Sequence, residues 1–130
     1  GLDASLVEAV LDDVGCSPIP GAPPHVPGVI THRDHVLALL DIAVFCRLPR
    51  RRERAPLPRT VVVASGPLRA GLSCRAASGV IELAASALSP PTVLRSEGLA
   101  PFLDAECETP WGLCGVLDLA ELLEAARVRA

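Results

Sequence analysis

Pro20-Gly21-Ala22-Pro23-Pro24-His25-Val26-Pro27-Gly28-Val29-Ile30-Thr31-His32-Arg33-Asp34, running on through His35-Val36-Leu37-Ala38-Leu39-Leu40-Asp41, is the stretch whose reading decides the fold. Residues 15–27 carry five prolines and two glycines, the composition of a stiff, extended connection. Val29–Ile30 and Val36–Leu40 then flank a polar stretch, Thr31 to His35. Two apolar runs around a short polar one predict a β-hairpin, here with a tip that presents several ionisable side chains. Asp41 follows the second strand and precedes an apolar, helix-compatible run to about Leu48.

Further along, the same order of residue types returns. Val36-Leu37-Ala38-Leu39-Leu40-Asp41-Ile42-Ala43 can be laid on Leu113-Cys114-Gly115-Val116-Leu117-Asp118-Leu119-Ala120, each a strand, a capping Asp and a helix start. Such an echo points to two related half-structures. Leu119–Arg129 has the clearest helical pattern. Asp118 stands at its N-cap, Glu121 at the position that would complete a capping box, and Leu119, Leu122 and Leu123 on one face. Arg127 and Arg129 lie near its C-terminal end, where cations suit the helix dipole. Elsewhere, residues 4–11 read as a short helix entering a strand. Thr60–Ala64 and Leu68–Cys74 read as strands joined at Ser65-Gly66-Pro67, and Gly79–Leu83 as another. Residues 49–58 and 84–99 read as loops, the first rich in Arg. Short strands with Gly/Pro turns favour small barrels, so the pattern predicts a mainly β chain of two tandem β-barrel subdomains with a short internal helix and a C-terminal helix.

Composition narrows the function classes. The chain has 130 residues, half of them apolar, with Phe45, Phe102 and Trp111 as its aromatics and no Tyr or Met. The length fits one domain, and the core has to be built from Val, Leu, Ile and Ala. All twelve basic residues are Arg and the net charge is −3, which gives the molecule as a whole no attraction to nucleic acid or anionic membrane. No apolar run approaches the roughly 18 residues of a membrane span, no signal peptide opens the chain, and a start on Gly1 rather than Met reads as a segment of a longer protein. Cysteines at 16, 46, 74, 107 and 114 are odd in number and form no C-x-x-C, so they read as small buried hydrophobes in a reducing cytoplasm.

Taken in order, these segments resemble the CheW-like domain family. Pro20 to Asp34 resembles its P-x-x-P-x-x-x-x-G-V-I-N-L-R-G segment. Val36–Ile42 is similar to its strand-plus-Asp, and Gly71-Leu72-Ser73-Cys74 with Gly79-Val80-Ile81-Glu82-Leu83 follows in the expected order. Leu113–Leu123 resembles the family's closing strand and helix. The resemblance implies two SH3-like β-barrels, taken as one CheW-like domain over residues 1–130. It further implies a non-catalytic scaffold linking chemoreceptor cytoplasmic hairpin tips to the regulatory domain of a CheA-type histidine kinase. The expected setting is the cytoplasm, at membrane receptor arrays. By motif, Val7, Val10, Gly28 and Arg33 match positions used around the partner-binding groove. The departures are Thr31-His32 for Asn-Leu, Asp34 for the hairpin glycine, and Ala9 where the family commonly carries Glu. Related domains also place a strand ahead of the position of Gly1. Its absence would leave a barrel edge open to self-association or to pairing with another chain.

Arg33 at a hairpin tip suits a carboxylate-binding anchor. His25, His32 and His35 lie close in sequence, but a hairpin and a Pro-rich connector do not by themselves bring three ligands together, so no metal is expected. No nucleophile context surrounds any Cys, and neither a phosphate-binding loop nor a dinucleotide fingerprint is present, so neither an enzyme nor a cofactor is expected. Arg47, Arg50, Arg51, Arg52, Arg54 and Arg59 form the basic run, which would serve nucleic acid or an anionic surface in an alternative reading but lacks interleaved aromatics. A second alternative is a CheW-like regulatory domain belonging to a larger kinase or response-regulator fusion.

Overall fold

The computed structural model of the chain describes residues 1–12, 15–48, 59–74, 77, 79–92 and 98–129. The strands are β1 (Val7–Asp12), β2 (Gly28–His32), β3 (His35–Asp41), β4 (Arg59–Ser65), β5 (Leu68–Cys74), β6 (Leu103–Thr109) and β7 (Gly112–Leu117). Two α-helices join them, α1 (Ile42–Phe45) and α2 (Leu119–Arg129). The first five strands form one sheet in the order β1-β4-β5-β3-β2, and β6 pairs with β7 in a second. All pairings are antiparallel except β3 with β5, which run parallel through Leu39↔Gly71.

Alternation along the strands gives the five-stranded sheet two buried faces. Ile30, Leu37, Leu39 and Val62 form a small core on one, against Ala9, Leu11 and Cys16. Since β1 and β2 are opposite edges of this sheet yet share that core, the sheet is curled. Residues of the other parity, Leu40, Val63, Ala70 and Leu72, join a second core with Phe45, Phe102 and the α2 residues Leu119, Leu122, Leu123 and Ala126. Neighbouring Val62 and Val63 are both fully buried, one on each side. Four β-branched residues in a row, Thr60 to Val63, suit such a two-sided strand.

The helix starts follow the expected chemistry. Asp41 Oδ1 accepts from Val44 N–H at 3.2 Å, and Asp118 Oδ1 accepts from Glu121 N–H at 3.2 Å. The capping box at Asp118 is not completed, because the Asp118 N–H donates to Phe102 C=O at 2.8 Å. α1 is also shorter than the run to Leu48 predicts. Arg47 turns to φ 54, and the N–H groups of Arg47 and Leu48 donate to Val44 and Ala43, closing the end as a Schellman motif.

One further expectation is corrected. Gly79–Leu83 makes no strand: Gly79 has φ 140 and Val80 is 81% exposed, so the segment has no buried face for pairing to protect. β6 alternates Leu103, Ala105 and Cys107 with Asp104, Glu106 and Glu108, carboxylates that strands disfavour. Glu106 is nevertheless buried, accepting from Thr92 N–H and from Thr92 Oγ1, and so ties the irregular segment to β6.

At the chain start, Asp3 caps a turn of 3-10 helix over Ala4–Leu6. Its carboxyl is held below the usual range by hydrogen bonds from the Ser5 hydroxyl and then the Ser5 N–H. Gly1 lies beside the second sheet, donating to Gly115 C=O at 2.6 Å and accepting from Leu117 N–H at 2.9 Å. His25 is buried from the Pro-rich connector, its ring 4.9 Å from that of Phe45 and its carbonyl accepting from Asp41 N–H. It anchors the connector to the larger core. No helix among the described residues is long and apolar enough to cross a membrane.

Candidate functional site

The β2–β3 hairpin is built tightly. His32 pairs with His35, leaving Arg33 and Asp34 as a two-residue turn. Both turn residues lie in the left-handed region, Arg33 at φ 48 and Asp34 at φ 65, as a type I′ hairpin requires. An Asp tolerates that backbone, whereas an Arg pays roughly 1–2 kcal/mol for it. Arg33 is exposed and makes no ion pair with any described residue, so nothing within this region recovers the strain. The tip therefore holds a cation outward at an energetic cost. Strain of this kind collects at functional positions.

Around the tip the curled sheet opens into a cleft of about 430 Å³, lined by Glu8, His32, Arg33, His35, Leu37 and Arg69. Arg69 reaches across from β5 and pairs with Glu8 of β1 at 3.0 Å, both side chains partly exposed. Glu8 sits where the β1–β4 register shifts between Val7 and Ala9. The bulge turns its carboxylate toward the cleft lining.

The four residues matched by motif do not converge. Arg33 is at the tip. Val7 is half-buried against the larger core, while Val10, 47% exposed, faces away from the small core. Gly28 begins β2 at the end farthest from the turn, about 13 Å from His32 along the strand. A Cβ on Gly28 would overlap the Ser17 carbonyl and the Cys16 sulfur, because Ser17 and Val29 exchange backbone hydrogen bonds there. In this fold Gly28 serves a close backbone approach. Sequence reasoning missed Glu8, Leu37 and Arg69 as lining residues. A signal existed for the histidines, since both flank a two-residue turn and share the parity of Ile30 and Leu37. Nothing in the sequence joins Arg69 to Glu8.

Among the described residues no group of three His, Cys, Asp or Glu side chains is placed to hold a metal ion. The five cysteines form no disulfide among the described residues, and Cys46 and Cys107 are buried. Arg59 pairs with Asp12 at 3.1 Å, whereas Arg50, Arg51, Arg52 and Arg54 lie outside the described residues. At the other hairpin tip Trp111 is a surface aromatic, 55% exposed.

Comparison with known proteins agrees with this architecture. The model of the CheW-like domain matches residues 1–127. No curated protein sequence matches the chain. Among solved structures, the scaffolding protein TtCheW from Thermoanaerobacter tengcongensis superposes with a TM-score of 0.78 at 24% identity, covering 91% of this chain and 80% of that one. The likeness gives the fold: mainly β, with two SH3-like subdomains.

Proposed function

The chain belongs to the CheW-like domain family, and we propose that it acts as a non-catalytic scaffold of a chemosensory system, joining chemoreceptor hairpin tips to the regulatory domain of a CheA-type kinase. The observation that carries this is Arg33, exposed at a tight turn in a left-handed backbone conformation and in no ion pair with a described residue. A guanidinium presented in this way is preorganised for a carboxylate on another protein. Val10 on β1 adds an exposed apolar contact on the same subdomain.

Titration against a receptor-tip hairpin and a kinase regulatory domain tests the proposal. Arg33→Glu should weaken binding by at least about 1–2 kcal/mol, as an interface Arg does. Unfolding should shift by no more than about 0.5 kcal/mol, since the side chain is on the surface. Replacing Arg50, Arg51, Arg52 and Arg54 by Ser should leave that affinity nearly unchanged. Unaltered binding by Arg33→Glu defeats the proposal. A steep salt-dependent loss in the Ser variant would instead favour a polyanion-binding role for the basic run.

A further inference from the structure

We propose that the cleft at the mouth of the curled five-stranded sheet receives a carboxylate side chain from an acidic segment of a partner protein, with His32 and His35 as its recognition pair. The inference rests on the scaffold role and names the chemistry of the partner. Cross-strand partners share a face of the sheet, so the two imidazoles stand side by side on strand backbone and not on a loose loop. Their face is the inner one. His32 follows Ile30 by two residues and His35 precedes Leu37 by two, and both apolar residues are buried in the small core. Arg69 lies two residues before Gly71, whose missing Cβ would face Ile30 and Leu39, so it borders the same mouth.

Charge selects the ligand. Two arginines and two histidines line the cleft against one carboxylate, Glu8, in a molecule whose net charge is −3. Asp34 is in the turn but is not part of the lining. Glu8 already engages Arg69, leaving Arg33 and the imidazoles to meet an incoming anion. A phosphate dianion would be repelled by Glu8 more than a single carboxylate. Leu37 and the imidazole faces also offer apolar contact to the methylenes of a Glu side chain. An imidazolium attracts a carboxylate, whereas a neutral imidazole can only donate a hydrogen bond to it, so binding of an acidic segment should tighten as the two histidines take up protons.

The probe is a blocked peptide of alternating Ala and Glu, with Ala-Gln as its neutral counterpart, followed through the imidazole ring proton resonances of the intact chain. Affinity should be at least about threefold higher near pH 6 than near pH 8, the size expected of exposed charge pairs. His32→Gln with His35→Gln should abolish that increment and leave the melting temperature in place. Equal affinity at both pH values, no binding of Ala-Glu, or a full pH increment in the double variant would each overturn the proposal. Tighter binding of a phosphoserine version of the peptide, or of phosphatidylserine vesicles, would overturn it too. Both variants are also run against the receptor-tip hairpin at both pH values. If Arg33→Glu weakens hairpin binding and Ala-Glu fails to bind, the cleft proposal alone falls. If Ala-Glu binds through the histidines and Arg33→Glu leaves hairpin binding unchanged, the scaffold role of Arg33 alone falls.

Discussion

His35–Phe45 and Gly112–Arg129 follow the same order of strand, aspartate and helix, and Asp41 and Asp118 each accept a backbone N–H at 3.2 Å to start the helix. Beyond the cap they part. β3 has a neighbour on each side, β2 and the parallel β5, whereas the outer side of β7 meets Gly1. α1 is closed after four residues by a left-handed Arg47, and α2 continues for eleven, with Leu122 fully buried against the first sheet's second face. The hairpin tips differ as well, a strained Arg33-Asp34 turn in one and Pro110-Trp111, with no positive φ, in the other. A cap is local chemistry that two sites can share. How far each helix runs, and what its hairpin offers to a partner, depends on the surroundings.

The largest expected effect tests the unequal helices. Leu122→Ala should destabilise the fold by about 2–5 kcal/mol, because truncating a fully buried Leu adds a cavity to the lost transfer energy. Ile42→Ala in α1 should cost less, as Ile42 is only half-buried. Urea unfolding followed by circular dichroism decides this, and equal losses would show that the two helices anchor the core alike. The intermediate effect tests the shared cap. Asp41→Ala and Asp118→Ala should each lower stability by about 1 kcal/mol, the usual worth of an N-cap. If only one of them responds, the two caps are alike in geometry and not in energy.

The smallest effect in stability separates the two tips. Arg33→Gly should raise stability by about 0.5 kcal/mol, the relief of a left-handed Arg offset by the entropy of an added glycine. The same variant should lose partner affinity. Trp111→Gly relieves no positive φ and should give no gain. A fall in stability for Arg33→Gly would show that the Arg side chain holds the turn together.

On its own, the sequence determined what depends on neighbours along the chain. The hairpin and its Asp41 exit, the Ser65-Gly66-Pro67 turn, the Asp118 start of α2 and the inward stripe Leu119, Leu122, Leu123 were all legible, because capping and side-chain alternation act over a few residues. The position of Arg33 at the tip was legible for the same reason. Its own left-handed backbone was not, since of the two turn residues only Asp34 is of a type that favours positive φ. Tertiary structure decided the rest. It recruited the acidic β6 as a strand because β7 and Ser89 supply its hydrogen-bond partners, and left Gly79–Leu83 unpaired despite its better strand composition. It also brought Arg69 to Glu8 and set His32 and His35 over Leu37, forming a cleft from three separate segments. Curling of the sheet makes those contacts, and curling arises from the packing of both its faces at once, which no local stretch encodes.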